Sequence, residues 1–363
     1  KYFRKKKRDE KKKKRDKRQP STVEKVIGRT VMSVRNASFT YTETDGMILP
    51  GFAGESQFLG AGSTRTGPFV APGFGFLAGA QNYDLWGNPT DQWSGGNDYA
   101  MYAAGRGWLV NNPGLNLQHT VTHTQNINGR VQLEPFKDLS ISLTFDRKFN
   151  QNDNSFFRVT DTMDYGLSTE QFVWGHQNQV TSGSLNFTTI TWGTTWSSLD
   201  SLYLDQTFTD MRNYRPVVSQ QLAEINGNST GYVDSTGYYD GYGANQQDVL
   251  IGSFMAAYTG KGTNKFFDIF KAIPLPNWDI RYDGLSKFKF MKGIVQNFTL
   301  KHAYRSTVSL TNYQTNLAAF DEAGVQQRDV YGNYIAGRQI SGITITEQFA
   351  PFLAMAQAVR GQI

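Results

Sequence analysis

Few side chains in this 363-residue sequence are placed to do chemistry. There is no cysteine, which removes thiolate metal sites, cysteine nucleophiles and a disulfide scaffold together. The four histidines are His119, His123, His176 and His302. His119 and His123 are four residues apart, a spacing that on a helix would bring two imidazoles together. The stretch around them alternates threonine with other residues, as a strand does. On a strand the two rings share a face but stand about 13 Å apart, too far to grip one ion. Asp234, Asp240 and Asp248 lack the Asp-x-Asp-x-Asp-Gly order of a calcium loop. Gly60-Ala61-Gly62-Ser63, Gly73-Phe74-Gly75 and Gly260-Lys261-Gly262-Thr263 are glycine-rich without the order of a phosphate-binding loop. No serine sits in a Gly-x-Ser-x-Gly turn. The expectation is a protein that is not an enzyme, with no catalytic residue, cofactor or metal ligand.

What the sequence does specify is strands. Leu139, Ile141, Leu143 and Phe145 alternate with Ser140, Ser142, Thr144 and Asp146. Between 297 and 310, Phe298, Leu300, His302, Tyr304, Ser306, Val308 and Leu310 alternate with Thr299, Lys301, Ala303, Arg305, Thr307 and Ser309. Ala37, Phe39 and Tyr41 alternate likewise with Asn36, Ser38, Thr40 and Thr42. Since side chains point to opposite faces along a strand, each segment has an apolar face and a Ser/Thr/Asn face. Further strands are expected at 116–127, 129–136, 184–196, 277–283 and 342–349, with a change of phase near Thr188 of the kind a bulge produces. The best run to about 10–14 residues, against about 5–6 for a usual soluble strand. Length and face chemistry together point to an antiparallel transmembrane β-barrel segment of the outer-membrane type. Long segments rich in Gly, Asn and Tyr, 46–115 and 222–246, read as loops. One helix is expected at 247–258 and a shorter one at 264–271, stopped by Pro274 and Pro276.

Charge adds a boundary. The whole chain carries +6, but its first 18 residues hold 13 basic and 3 acidic side chains. The remainder, with 24 basic and 28 acidic residues, is mildly acidic. Residues 1–28 therefore read as a charged tail or linker, 29–353 as the β-rich body and 354–363 as an atypical end. A basic run confined to a tail excludes a nucleic-acid-binding body. No apolar run approaches the roughly 20 residues of a membrane-spanning helix. A start at Lys1-Tyr2-Phe3 suggests a piece of a longer protein.

Several stretches resemble the SprA/Sov family, the outer-membrane translocon of the type 9 secretion system of Bacteroidetes, tied in some members to gliding motility. They are Ala37-Ser38-Phe39-Thr40-Tyr41-Thr42-Glu43-Thr44, Leu49-Pro50-Gly51-Phe52, Ala71-Pro72-Gly73, Gly79-Ala80-Gln81 and Gly107-Trp108-Leu109. Further on come Asp248-Val249-Leu250-Ile251 and Ala256-Ala257-Tyr258-Thr259-Gly260-Lys261. The most specific piece is Pro274-Leu275-Pro276-Asn277-Trp278, continuing through Tyr282, Gly284 and Leu285. Later pieces are Leu300-Lys301-His302-Ala303-Tyr304-Arg305 and Thr346-Glu347-Gln348-Phe349. The resemblance implies part of a very large barrel with a wide, passive, protein-conducting pore in the outer membrane. It also implies three partners: secreted cargo proteins, PorV-type and plug-type accessory proteins, and outer-membrane lipid. On this reading Thr299, Lys301, Arg305, Thr307, Ser140, Ser142 and Thr144 face the lumen. Phe298, Leu300, Tyr304, Val308, Leu139, Ile141, Leu143 and Phe145 face lipid. Trp278 sits either at the membrane interface or in core packing, and the polar, partly helical stretch 246–271 sits in the lumen or at a rim. A secreted β-rich adhesin or carbohydrate-binding module is the alternative.

Overall fold

A computed structural model describes residues 32–56, 62–64, 67–68, 99–163, 171–199, 205–263, 268–287, 295–321 and 324–358. The charged tail at 1–28, most of the glycine-rich loop between 57 and 98, and the last residues 359–363 lie outside them. Alternating β-branched, aromatic and hydroxyl residues build one mostly antiparallel sheet of eight strands. These are β1 (Val34–Ile48), β2 (His119–Leu133), β3 (Leu139–Met163), β4 (Gln171–Thr188), β5 (Asn277–Tyr282), β6 (Val295–Thr315), β7 (Arg338–Ile340) and β8 (Ile343–Ala358). The two strands expected at 116–127 and 129–136 are one. At 25 residues, β3 is the longest, roughly 80 Å if fully extended. β8 runs into the end expected to be atypical: Ala354 pairs with Leu300 and Ala358 with Val295. The run of alanines there carries little strand propensity, and the ladder with β6 decides its form.

The eight strands occupy six lanes. β4 and β5 both pair with β3 on one side and β6 on the other, which closes a ring of four pairings. The ring is not a barrel, because β4 and β5 are two halves of one lane. Phe187 pairs with Arg147, and Asn277 resumes opposite Thr144. Between them the chain leaves the sheet at Thr189 and returns at Pro276. Three hydrogen bonds stitch the break: Leu275 N–H to the Thr188 carbonyl (2.9 Å), Thr189 N–H to the Ser306 carbonyl (3.0 Å) and Ser306 N–H to Asn277 Oδ1 (2.9 Å). The phase change near Thr188, read above as a bulge within a strand reaching 196, is this exit.

The excursion carries α2 (Trp192–Thr195), α3 (Gln206–Ile225) and α4 (Gln247–Tyr258); α1 (Tyr99–Gly105) precedes β2. α4 has the bounds expected from sequence, its N-terminus capped by Gln246 Oε1 accepting from the Asp248 and Val249 amides. In place of the short helix at 264–271 there is a single 3-10 turn, Ile269–Lys271, with 264–267 outside the described residues. α3 was not legible: Pro216 lies inside it, and its polar sequence forms no clear stripe. Asp205 caps it through Thr207 N–H at 2.8 Å.

Candidate functional site

Cross-strand register sorts the sheet into two faces of opposite chemistry. On one, Ser140 stands in register with Arg281 and Lys301, and Thr144 with Asn277 and, through β6, with the Arg305–Thr307 stretch. Ser38, Thr40, Thr42 and Thr44 of β1 continue it beside Arg130, Asn128, Asn126 and Thr124 of β2. The structure thus brings Thr299, Lys301, Arg305, Thr307, Ser140, Ser142 and Thr144 onto one hydroxyl- and amide-rich surface. No helix of the described residues packs on the core of that surface.

The other face has two halves. In the lower half, Leu139 aligns with Tyr282 and Leu300, Ile141 with Ile280, and Leu143 with Ala37, Val131 and Trp278. Phe39, Gly129 and Phe145 form the next row. These side chains are half-exposed or exposed, Phe39 at 65%. The closest packing there is Phe145 over Gly129, where a Cβ would sit 2.0 Å from the Phe145 ring. At the turn below, Phe136 meets Tyr282 edge-on, and Lys287–Asp138 and Arg281–Asp283 form ion pairs.

In the upper half the same alternation continues through Phe149, Leu185, Phe187, Val308, Leu310 and Tyr313, all buried. Met255, Ile251 and Phe254 of α4, with Ile269 and Phe270, cover them. Two expectations are corrected here. Tyr304 (1% exposed) and Val308 (0%) do not meet lipid, because the chain's own excursion lies over them. The described parts of 246–271, residues 246–263 and 268–271, lie on the apolar side rather than on the Ser/Thr/Asn side, which removes the lumen placement and leaves the rim one, since α4 carries its own apolar surface onto the sheet. Leu139, Ile141, Leu143, Phe145, Phe298 and Leu300 stay only half-buried, with no helix of the described residues over them.

Aromatics mark the border between the halves. Trp192 stacks on Trp278 (5.4 Å between centroids), which stacks on Tyr304 (4.4 Å), while Phe349 meets Trp192 edge-on. Trp196, 65% exposed, stands beside Phe349. Trp278 is therefore both half-packed and at a border. Its indole N–H donates to His302 Nε2 (3.2 Å), and His302 Nδ1–H donates to the Ala350 carbonyl (2.7 Å). Glu347 ties down the departing chain, accepting from Tyr304 O–H (2.5 Å), Thr191 Oγ1–H (3.0 Å) and Thr195 Oγ1–H. The Pro274-to-Leu285 stretch is the return into the broken lane: Asn277 is buried, and Gly284 lies against the Tyr282 ring, where a Cβ would come within 2.5 Å. Leu285 opens a 3-10 turn.

No protein-family model matches this chain, and no curated protein matches it either.

A second candidate site lies at the far end of the excursion. Two loops, each turned by an aspartate whose carboxylate accepts backbone amides, wall a cleft of about 690 Å³. Asp234 Oδ1 accepts from Thr236 and Tyr238, and Asp329 Oδ1 from Tyr331 and Asn333. Tyr232, Tyr238, Tyr239 and Tyr331 line it. Arg328 grips Asp240 with both terminal nitrogens (2.6 and 2.9 Å) and lies over the Tyr334 ring. This bidentate pairing holds the Asp240 carboxyl well below the usual carboxylate range. Asp248, at the start of α4, is pushed the other way by burial. Sequence reading flagged the tyrosines of one loop, but not Arg328, which is separated from Asp240 by 88 residues.

Proposed function

We propose that this chain is a stretch of the wall of a large outer-membrane β-barrel that conducts secreted proteins, of the SprA/Sov type that its sequence resembles. The observation that carries the reading is the asymmetry of one sheet. A continuous Ser/Thr/Asn surface backs an uncovered apolar strip, bounded by the Trp192, Trp196, Trp278 and Phe349 cluster at one side and ion-paired turns at the other. A barrel strand in a bilayer presents lipid with an apolar band about 25 Å tall between aromatic girdles. β3 is far longer than the 9–11 residues such a crossing needs, so its lower half spans the membrane and its upper half stands clear, sheathed by the excursion. The hydrated face is the lumen, where hydroxyls and amides hold water without strong charge traps for a passing polypeptide. Lys301 and Arg305 lie on that side, because near the midplane each would cost about 2–4 kcal/mol against lipid. The wall acts passively, partnered by cargo, accessory proteins and lipid.

This chain has no cysteine, so a clean test needs only that cysteines elsewhere in the parent be replaced by serine. Single cysteines at Ile141 and Ser142 are introduced into the parent protein in cell envelopes. Ser142→Cys is expected to react with a water-soluble maleimide, and Ile141→Cys only with a lipid-soluble one. Equal reaction of both with the water-soluble reagent sinks the proposal, as does recovery of the parent in the soluble secreted fraction without detergent.

The tyrosine-lined cleft favours a second reading, a secreted β-rich module that binds polysaccharide through stacked aromatic rings. That reading requires the apolar strip to be covered by protein, so both cysteines would resist the lipid-soluble reagent.

A further inference from the structure

Above the uncovered strip, on the apolar side, three metal-ligating side chains converge where β1 meets β2. Asp45 lies directly opposite His123 in the ladder, and Glu43 precedes Asp45 by two residues on the same face. His123 Nδ1 is 2.6 Å from Asp45 Oδ1 and 3.8 Å from Glu43 Oε1. One ligand atom from each residue lies within 4.8 Å of the others. All three side chains are mostly buried, with 14%, 18% and 11% exposed for His123, Asp45 and Glu43.

Two features mark this cluster as short of a positive charge. Glu43 Oε1 is fully buried and accepts no hydrogen bond, while Oε2 is held by the Tyr41 hydroxyl at 2.6 Å. A buried carboxylate oxygen left in that state is costly unless something meets it. Among the described residues no lysine or arginine is ion-paired with Glu43 or Asp45. Arg147, one row below on β3, instead donates to Gln125 Oε1 and to the Phe270 carbonyl (2.9 Å). Two carboxylates thus share one histidine in a half-dry pocket, with the His123 ring packed against Phe149.

We infer that Glu43, Asp45 and His123 form a binding site for a divalent transition-metal ion of the zinc type. One imidazole nitrogen and two carboxylate oxygens, completed by water, suit zinc, whereas calcium prefers six or more oxygens. The Glu43-to-His123 spacing is already near that of neighbouring ligands around a tetrahedral ion. The Asp45–His123 contact opens as the ion displaces the proton between them. Tyr41 holds Glu43 from behind, and Gln125 Nε2–H donates to the Tyr41 oxygen (3.0 Å), the outer support that orients a metal-bound carboxylate. The ion would clip β1, which pairs only with β2 among the described residues, to the rest of the sheet. His119, which strand spacing sets too far from His123 to share an ion, takes no part: it packs against His176 and Phe157.

The test titrates zinc into the untagged, chelator-stripped full chain by calorimetry. One zinc per chain is expected, with His123→Gln abolishing binding, His176→Gln leaving it unchanged and Tyr41→Phe weakening it about tenfold. Circular dichroism and heat-unfolding of each variant without metal confirm that it folds. Should His123→Gln fail to fold, cobalt substitution of the unmodified chain replaces it: a visible absorption spectrum of tetrahedral nitrogen and oxygen ligation supports the site. No stoichiometric zinc, binding retained in His123→Gln, or an octahedral aquo-cobalt spectrum overturns the inference.

Discussion

The lower and upper halves of the apolar sheet face are written in the same pattern and treated differently. Leu139, Ile141, Leu143 and Phe145 lie on the same side of β3 as Phe149, yet the first four stay open while Phe149 is 5% exposed. Between them on the same face stands only Arg147, whose guanidinium is taken up by Gln125 and the Phe270 carbonyl where the covering chain begins. The difference is the excursion from Thr189 to Pro276, which leaves the sheet at the level of Phe145 and folds back over only one half. The chain covers one half of its apolar surface and leaves the other half open, which on the proposed barrel reading is the half that lipid covers. The aromatic cluster at Trp192 and Trp278 sits at the change.

The largest expected difference between the halves comes from two glycines. In the covered half, a Cβ on Gly183 would meet the Asn150 carbonyl at 2.1 Å and the Tyr313 ring at 2.7–2.9 Å. Backbone on one side and a buried ring on the other cannot move aside, so Gly183→Ala is expected to cost more than about 3 kcal/mol or to prevent assembly. In the open half, Gly129→Ala displaces only the Phe145 ring, which can swing outward, and about 1 kcal/mol or less is expected. Urea unfolding from lipid vesicles measures both, and equal losses would erase the distinction.

Truncation comes next. Leu310→Ala, in the covered core, is expected to cost about 2–5 kcal/mol, and Leu143→Ala about 1 kcal/mol, because Leu143 is only half-buried and, on the barrel reading, meets fluid lipid. A charge sharpens the contrast from the other direction. Ile141→Arg is expected to cost about 2–4 kcal/mol in a bilayer, against nearly nothing for Ser142→Arg on the hydroxyl face. In detergent-free buffer, if the chain is soluble there, Ile141→Arg would be harmless, and the lipid assignment would fall.

The smallest effect is on the far loops. Arg328 holds the Asp240 carboxyl below its usual range, so the pairing is fully stabilising above the unfolded value near pH 4 and is lost as pH falls through the lower folded value. Proteolysis in the loop at 328–334 is expected to rise below about pH 3 and not between pH 5 and 8. Asp240→Asn should bring the same opening at neutral pH while leaving the sheet intact.

Much of the sheet was legible from residues. Alternation located β1, the start of β3, β6 and the beginning of β8, and the Ser/Thr/Asn face fell where the period placed it. α4 was legible because Gln246, Asp248 and its apolar run form a cap and a stripe. α3 was hidden by Pro216 and a polar composition, since its burial against α4 and the tyrosine loops is a property of the assembly. The excursion was misread because a change of phase looks the same whether a strand bulges or stops. The Glu43, Asp45 and His123 cluster had no local signal, as His123 lies 78 residues from Asp45 and meets it only through register.

The sequence by itself determined which side of each strand is apolar, because that follows from a two-residue period and needs no partner. It also determined that the excess of positive charge is confined to a tail and that this chain has no thiol. Only the tertiary structure decided which apolar residues are covered. That choice depends on where the lane breaks and where the helices land, and both are set by contacts between segments far apart in the chain. Tyr304 and Ile141 look alike in a sequence pattern; one lies beneath Trp192 and Glu347, and the other is left half-exposed by the described residues.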